Sequence, residues 1–165
     1  MSDYWHKERG FKRQQGAAAI EFSFVFALLF GMFWAIISYA MPFFLYQTMN
    51  YAAADAARYA LRAAQESDLE APNLKALSKS NAELTLKKFL PTAFESKLNV
   101  SSSVKLISIP TSSGRSIDLR ELVIVIDYPN YNANPLVPQL NLPGVGRIPN
   151  IPDDFLHVEA SVRMK

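Results

Sequence analysis

A single carboxylate, Glu21, stands at the start of a long apolar run, where an ionised side chain needs an explanation. The surrounding residues read RQQGAAAIEF, with Gly16 five positions before the glutamate. Residues 22–54 contain no charged side chain. A charge inside a membrane-spanning segment costs a few kcal/mol or more. Glu21 is therefore either a side chain that reaches the membrane surface or a group with a function.

The residues alone support a simple role for Glu21. Near the end of a membrane helix a long side chain can reach the interface, which lowers the cost of burying its charge. A negative charge in the first turns of a helix also interacts favourably with the helix dipole. The local sequence is compatible both with this simple role and with a functional role for Glu21.

Other candidates for chemistry are few. The chain has two histidines, His6 and His157, and neither has a second histidine or a carboxylate at the spacing of a metal site. Asp127 and the pair Asp153–Asp154 are interpreted as strand ends. The absence of cysteine excludes disulfides and a cysteine nucleophile. We expect no enzyme activity, no metal and no cofactor.

The apolar run predicts a single transmembrane helix over residues 17–46. Such a helix would be roughly 45 Å long at ~1.5 Å per residue, and a bilayer core needs ~20 apolar residues. A cleaved secretory signal has a shorter apolar region of ~7–15 residues, and a buried core helix would rarely lack charge for so long. Pro42 is expected to kink the helix near its far end.

The leader, residues 1–16, fixes the expected orientation. It carries four basic and two acidic side chains, whereas the remainder is balanced, so the net charge of +2 lies here. Basic residues before the span predict a cytoplasmic N-terminus and a head across the membrane, in the periplasm of a bacterium. Nothing in the remainder has the basic stripe of a nucleic-acid binder.

The stretches GAAAIEF, FVFALLFGMFW and YAAADAARYALRAA together resemble the TadE-like pseudopilins of tight-adherence (Tad/Flp) pilus systems. The resemblance covers the first 65 residues well and is looser beyond them. It implies that a prepilin peptidase cuts after Gly16, that Ala17 becomes the new N-terminus, and that Glu21, followed by Phe22, is the fifth mature residue. It also implies that the glutamate pairs with the freed amine of a neighbouring subunit during assembly.

The head is expected to span residues 47–165 and to begin with a continuation of the membrane helix. A face of small residues is predicted there at helical spacing. Its members are Ala53, Ala56, Ala57, Ala60 and Ala64. This face could pack in a bundle of pilin helices or against the sheet of its own head, and the sequence does not decide between them.

The rest of the head predicts an α+β fold in which a three-stranded antiparallel sheet packs on the helices. A second helix is expected over about 73–90, ended by Pro91, with Leu86, Phe89, Leu90 and Ala93 on one face. Strands are expected at about 99–109, 117–128 and 154–164, the last from strict alternation of apolar and polar residues.

A proline-rich loop is expected over residues 129–152, which hold six of the ten prolines. Loops of this length are often functional. The sequence allows either a surface loop packed by its own side chains or a loop that contacts another subunit.

These patterns predict a membrane-anchored structural protein of pilus assembly, with its head in the periplasm and its helix in the bacterial inner membrane. The resemblance implies four kinds of partner besides membrane lipid: the prepilin peptidase, the major Flp pilin, a TadF-like minor pilin and the inner-membrane assembly platform. The alternative is an uncleaved single-pass anchor that carries a ligand- or protein-binding head.

Overall fold

A computed structural model of the chain describes residues 9–66, 70–110, 116–144, 146–152 and 154–164. Side chains are described from Gly16 onward within these ranges. Residues 1–8, which are the first half of the predicted leader and include His6, lie outside the described residues, as do Asp153 and residues 111–115 between the first two predicted strands.

The first helix, α1, runs without interruption from Arg9 to Glu66. From Gly16 onward it is long and apolar enough to cross a membrane. The structure keeps Pro42 inside this helix, where the head buries it almost completely. The long N-terminal helix predicted from the sequence is confirmed.

The second helix, α2, runs from Ala71 to Phe89, and a short helix, α3, from Thr92 to Glu95. Pro72 stands in the first turn of α2, where its missing N–H is not needed. Lys87 and Lys88 lie in the last turn, where cations suit the helix dipole.

The predicted buried face of this second helix is partly wrong. Leu86 and Leu90 are buried, but Phe89 is 51% exposed and Ala93 is also exposed. Helical periodicity cannot be extended through Pro91, which separates α2 from α3. Phe89 lies at the rim of the helix pair, where its ring meets the edge of Tyr51 at 5.6 Å.

Three antiparallel strands form the main sheet in the order β1-β2-β5. They are β1, Asn99–Pro110; β2, Ser116–Asp127; and β5, His157–Met164. Val158 in β5 pairs with Ile126 in β2, and both are buried. Every second residue of β5, beginning with His157, is exposed. The predicted strands and the α+β fold class are confirmed.

The proline-rich loop contains a small hairpin that sequence analysis missed. Its strands are β3, Leu140–Leu142, and β4, Gly146–Ile148, which pair only with each other. Each strand has three residues, too few for an alternating pattern to be recognised. The positive φ of 80° at Gly144 suits a tight turn that other residues rarely adopt.

The core of the head lies between α1, α2 and the inner face of the sheet. The two helices are antiparallel. Asp55 in α1 accepts a hydrogen bond from Thr85 of α2 (3.2 Å), and the earlier Tyr51 of α1 contacts the later Phe89 of α2. Strand β5 starts beside the membrane end of the head, since Phe155 stacks on Tyr46 with ring centroids 5.2 Å apart.

Candidate assembly site on the membrane helix

The predicted processing junction lies within α1, on a part of the helix that the head does not touch. Gly16 and Ala17 are both exposed. A Cβ added at Gly16 would meet nothing within 4 Å. Glycine inside a helix costs about 1 kcal/mol relative to alanine. The described fold therefore gives no packing reason for glycine at this position.

Glu21 lies one helical turn beyond Ala17 and is exposed. None of the ion pairs among the described residues involves it. The nearby Ser23 hydroxyl donates to the backbone oxygen of Ala19 at 2.7 Å, so that hydroxyl is already used locally. The carboxylate is therefore available to a group from outside the described chain.

Phe22 begins a row of stacked aromatic rings along the helix. Its ring centroid lies 6.1 Å from that of Phe26, which lies 6.4 Å from that of Phe30. Residues four apart lie next to each other on a helix surface, and Trp34 continues the same spacing. Phe22 thus belongs to a ridge of large side chains on the exposed part of α1.

A groove of small residues runs beside this ridge, and the sequence analysis did not identify it. Its members follow one another at every fourth position: Ala19, Ser23, Ala27, Gly31 and Ala35. A second bulky row flanks it on the other side: Ile20, Phe24, Leu28, Met32 and Ile36. Small residues at this spacing let membrane helices approach closely. The four-residue repeat could have been found from the sequence.

Gly31 is the deepest point of this small-residue groove. A Cβ at this position would meet nothing within 4 Å in the described chain, and the bulky neighbours on either side are more than half exposed. The groove is therefore open along the helix, with ridges on both sides. Its shape suits the ridge of another helix.

The alanine face predicted for helix packing is used inside the head. Ala53, Ala56 and Ala60 are fully buried, Ala57 is nearly so, and Ala64 packs against the same core. Of the two alternatives that the sequence left open, the structure has these alanines against the chain's own second helix and sheet. They leave no small-residue surface for a neighbouring helix in this state.

The head covers α1 from an earlier point than the sequence suggested. Ser38 and Pro42 are buried, and Leu45 is only 2% exposed, although all three belong to the predicted membrane segment 17–46. The backbone N–H of Asn150 donates to the Tyr39 hydroxyl at 3.4 Å. Partial coverage therefore begins at Trp34 and Ala35, full burial begins at Ser38, and residues 17–33 form the free part of the helix.

The proline-rich loop is braced by its own polar contacts. The Tyr128 hydroxyl donates to the backbone oxygen of Asn134 at 2.8 Å, and the Asn132 amide donates to the backbone oxygen of Ile151 at 3.1 Å. Tyr131 and Ile151 are buried in the head core. These contacts hold together the loop that meets α1 at Asn150.

Burial also affects the chemistry of the two loop tyrosines. Desolvation raises the pKa of Tyr128 above its ordinary value of 10.0, with a smaller contribution from Tyr131. Desolvation likewise raises the pKa of Tyr131, partly opposed by the backbone of Leu136. Both phenols are therefore held in their neutral form.

The structure brings together two of the polar residues considered for catalysis. His157 contacts Asp127 across β5 and β2 on the outer face of the sheet, and both side chains are substantially exposed. Among the described residues no group of three or more His, Cys, Asp or Glu side chains could hold a metal ion.

Comparison with known protein families bears on this same part of the helix. The model of the TadE-like protein family matches residues 16–58. The N-terminal segment of this chain is TadE-like. The matched segment begins at Gly16 and includes Glu21, the small-residue groove and the first part of the buried alanine face. The resemblance inferred from the sequence is confirmed for this TadE-like segment.

The comparisons with curated proteins and with solved structures gave no match. The sheet and the proline-rich loop lie outside the TadE-like match. The likeness to a known family is therefore confined to α1.

Proposed function

We propose that this protein is a pilin-like structural subunit of a Tad/Flp-type pilus, cut between Gly16 and Ala17 by a prepilin peptidase and assembled through its N-terminal helix. The observation that carries the proposal is the free stretch of α1. Within a TadE-like segment, it combines an exposed glycine without a packing role, a carboxylate one turn further on, and an open groove of small residues.

The cut creates the partner that Glu21 lacks. Hydrolysis of the bond after Gly16 leaves an α-amino cation on Ala17. An uncompensated charge in an apolar setting is far costlier than a paired one. A subunit that enters a bundle of such helices therefore gains most when its amine meets the Glu21 carboxylate of a neighbour, and this pairing sets the register between the two helices.

The small-residue groove supplies the packing surface for this assembly. In a membrane, helices associate mainly through close van der Waals contact, which small residues permit. Gly31 and Ala27 allow the backbone of another helix to approach, and the aromatic ridge of Phe22 and Phe26 offers a complementary shape. The major Flp pilin and a TadF-like minor pilin are the proposed neighbours.

The proposed setting follows from the same helix. Basic residues precede it, so the N-terminus faces the cytoplasm, where the peptidase cuts and the assembly platform acts. The head then lies in the periplasm, anchored in the inner membrane. The protein acts as a peptidase substrate and a structural subunit, and no catalytic step is assigned to its own residues.

Mapping the N-terminus of the full chain tests the proposal against an uncleaved anchor. The protein is purified by a C-terminal tag from cells with and without the matching prepilin peptidase, and its first residue is read by mass spectrometry. We expect Ala17 only when the peptidase is present. A chain that starts at Met1 or Ser2 beside an active peptidase would favour the uncleaved anchor.

Two leader glycines provide a matched pair of variants for this experiment. Gly16→Leu is expected to abolish the cut, because the added side chain meets nothing in the described fold and can obstruct only the peptidase. Gly10→Leu makes the same change six residues earlier and should leave the cut intact. Equal processing of both variants would contradict the assignment of Gly16.

A further inference from the structure

An apolar groove lies where the head meets the membrane helix. It has a volume of about 380 Å³ and is lined by two segments. From α1 it takes Tyr39, Ala40, Pro42 and Phe43, and from the end of the proline-rich loop Asn150, Ile151, Pro152 and Phe155. This interfacial groove is open to the outside, since Tyr39 and Phe43 are about half exposed.

The depth of the interfacial groove follows from its distance along α1 from Ala17. Residues 17–37 span about 31 Å at ~1.5 Å per residue, and the hydrocarbon core of a bilayer is about 30 Å thick. With Ala17 at the cytoplasmic boundary, Ser38 reaches the opposite boundary. The groove, which begins at Tyr39, therefore lies at the level of the lipid headgroups and the first acyl carbons on the head's side.

The chemistry of the interfacial groove suits that depth. Its walls are apolar, and Asn150 and Tyr39 provide a polar contact at the point where the loop meets the helix. Tyrosine is enriched at membrane interfaces, because its ring is apolar and its hydroxyl is polar. Phe155 adds an aromatic side chain that is 37% exposed although it belongs to the head.

The exposed apolar surface continues without a break from the free helix into the interfacial groove. The large side chains of α1 from Ile20 to Phe44 are largely exposed, and in a membrane anchor lipid covers them. Phe43 belongs both to this surface and to the groove. The same lipid is therefore the occupant that the position of the groove favours.

We infer that the interfacial groove takes up an acyl chain of a membrane lipid and seats the head on the bilayer through residues 150–152 and Phe155. This inference rests on the membrane anchoring in the proposed function, but not on cleavage or on pilus assembly. It assigns a membrane-contacting role to the end of the proline-rich loop.

Site-directed spin labelling tests the inference, because the chain has no cysteine and each label is unique. Single cysteines replace Phe155, and separately Pro152, in the full chain reconstituted into phosphatidylcholine nanodiscs. Collision rates with oxygen, which enters lipid, and with a nickel chelate, which stays in water, are then measured. Phe26→Cys serves as the reference for the free helix and Leu84→Cys, on exposed α2, as the reference for water.

We expect the labels at Phe155 and Pro152 to show an oxygen-to-nickel ratio several-fold above that of Leu84→Cys. Ratios equal to that of Leu84→Cys, with Phe26→Cys still in lipid, would overturn the seated head and leave the anchor intact. Protection from both reagents would also overturn it, because a protein surface would then cover the groove. Exposure of Phe26→Cys to nickel would contradict the membrane anchor itself.

Discussion

At the scale of single residues, Gly16 and Glu21 each carry a free-energy cost without a compensating contact in the described chain. Glycine inside α1 costs about 1 kcal/mol relative to alanine, and a carboxylate near the start of a membrane span is also unfavourable. The processing junction and the pairing with a new amine explain both. Residues that are costly for the fold are expected where a function requires them.

Replacing Glu21 with alanine should separate assembly from the earlier steps. We expect Glu21→Ala to insert and to be cut normally, because the substitution removes a charge from the membrane helix. Pilus formation should fall sharply, since the neighbour's amine would be left unpaired. Sheared surface pili, measured by immunoblot of the major pilin, provide the assay.

Two further variants sharpen this test of Glu21. Glu21→Gln keeps the size of the side chain and should fail like alanine if charge is what matters. Ser23→Ala removes another polar group two residues along the helix and should assemble normally. Normal numbers of pili with Glu21→Ala would rule out the pairing role.

The two buried tyrosines of the proline-rich loop predict an alkaline limit to the stability of the head. Burial raises the pKa of Tyr128 and of Tyr131 above 10.0, so the unfolded chain ionises at a lower pH than the folded one. Their contribution to stability is complete below about pH 10 and is lost as pH rises through the folded pKa values, by at most about 1.4 kcal/mol per pH unit for each tyrosine.

Thermal unfolding in mild detergent, followed by circular dichroism, checks this prediction. The melting temperature should be flat up to about pH 9 and fall above about pH 10. Tyr131→Phe should weaken the fall, whereas Tyr59→Phe, which removes an exposed phenol, should not change it. A fall of the same size in Tyr131→Phe would show that other groups cause it.

At the scale of the elements, one side of α1 packs against the head in its second half and is open to a neighbouring helix in its first half. Gly31, Ser38, Leu45 and Ala52 are seven residues apart and therefore lie nearly in line on the helix. The last three are buried by the head, while Gly31 lies in the open small-residue groove. A neighbouring helix in that groove would run directly beneath the head and contact mainly residues 17–33.

Enlarging the groove residues should block assembly without harming the head. Gly31→Leu and Ala27→Leu fill the small-residue groove at positions that lie beyond the reach of the head core, since a Cβ at Gly31 meets nothing within 4 Å. We therefore expect far fewer pili at an unchanged melting temperature. Val25→Phe enlarges an exposed side chain by four carbons on the opposite side of the helix and should assemble normally. Pilus yield and the melting temperature of the purified protein are measured for each variant.

A substitution in the buried alanine face provides the contrast to these groove variants. Ala56→Leu overpacks a fully buried site and should lower the stability of the head by about 1–3 kcal/mol. Reduced pilus yield would then accompany a reduced melting temperature. If Gly31→Leu also lowered the melting temperature, the groove would be part of the fold rather than a packing surface.

At the scale of the whole molecule, local patterns predicted the elements better than their partners. Alternation predicted β5 to within three residues, and the apolar run predicted the existence of α1 but not its start at Arg9, because side-chain periodicity is a local property. The partner of the alanine face was not predictable, since alanines at helical spacing fit either a neighbour or the chain's own sheet. The hairpin β3–β4 was not predictable either, because its pairing depends on how the proline-rich loop folds.

The start of the head is the clearest case of information that only the tertiary structure holds. Residues 38–46 are as apolar as the span before them, so hydropathy extended the membrane segment to residue 46. The folded head buries Ser38, Pro42 and Leu45. This places the first nine residues of the head inside the predicted span.

Two head fragments test this boundary. A fragment of residues 38–165 keeps every buried residue of α1 from Ser38 onward, whereas residues 47–165 lack Pro42 and Leu45. Loss of a buried leucine alone costs about 2–5 kcal/mol, so the shorter fragment should unfold at a clearly lower urea concentration in mild detergent. The urea midpoints of the two fragments are measured by circular dichroism. Equal midpoints would show that the head begins at residue 47 and that its contacts with residues 38–46 do not stabilise it.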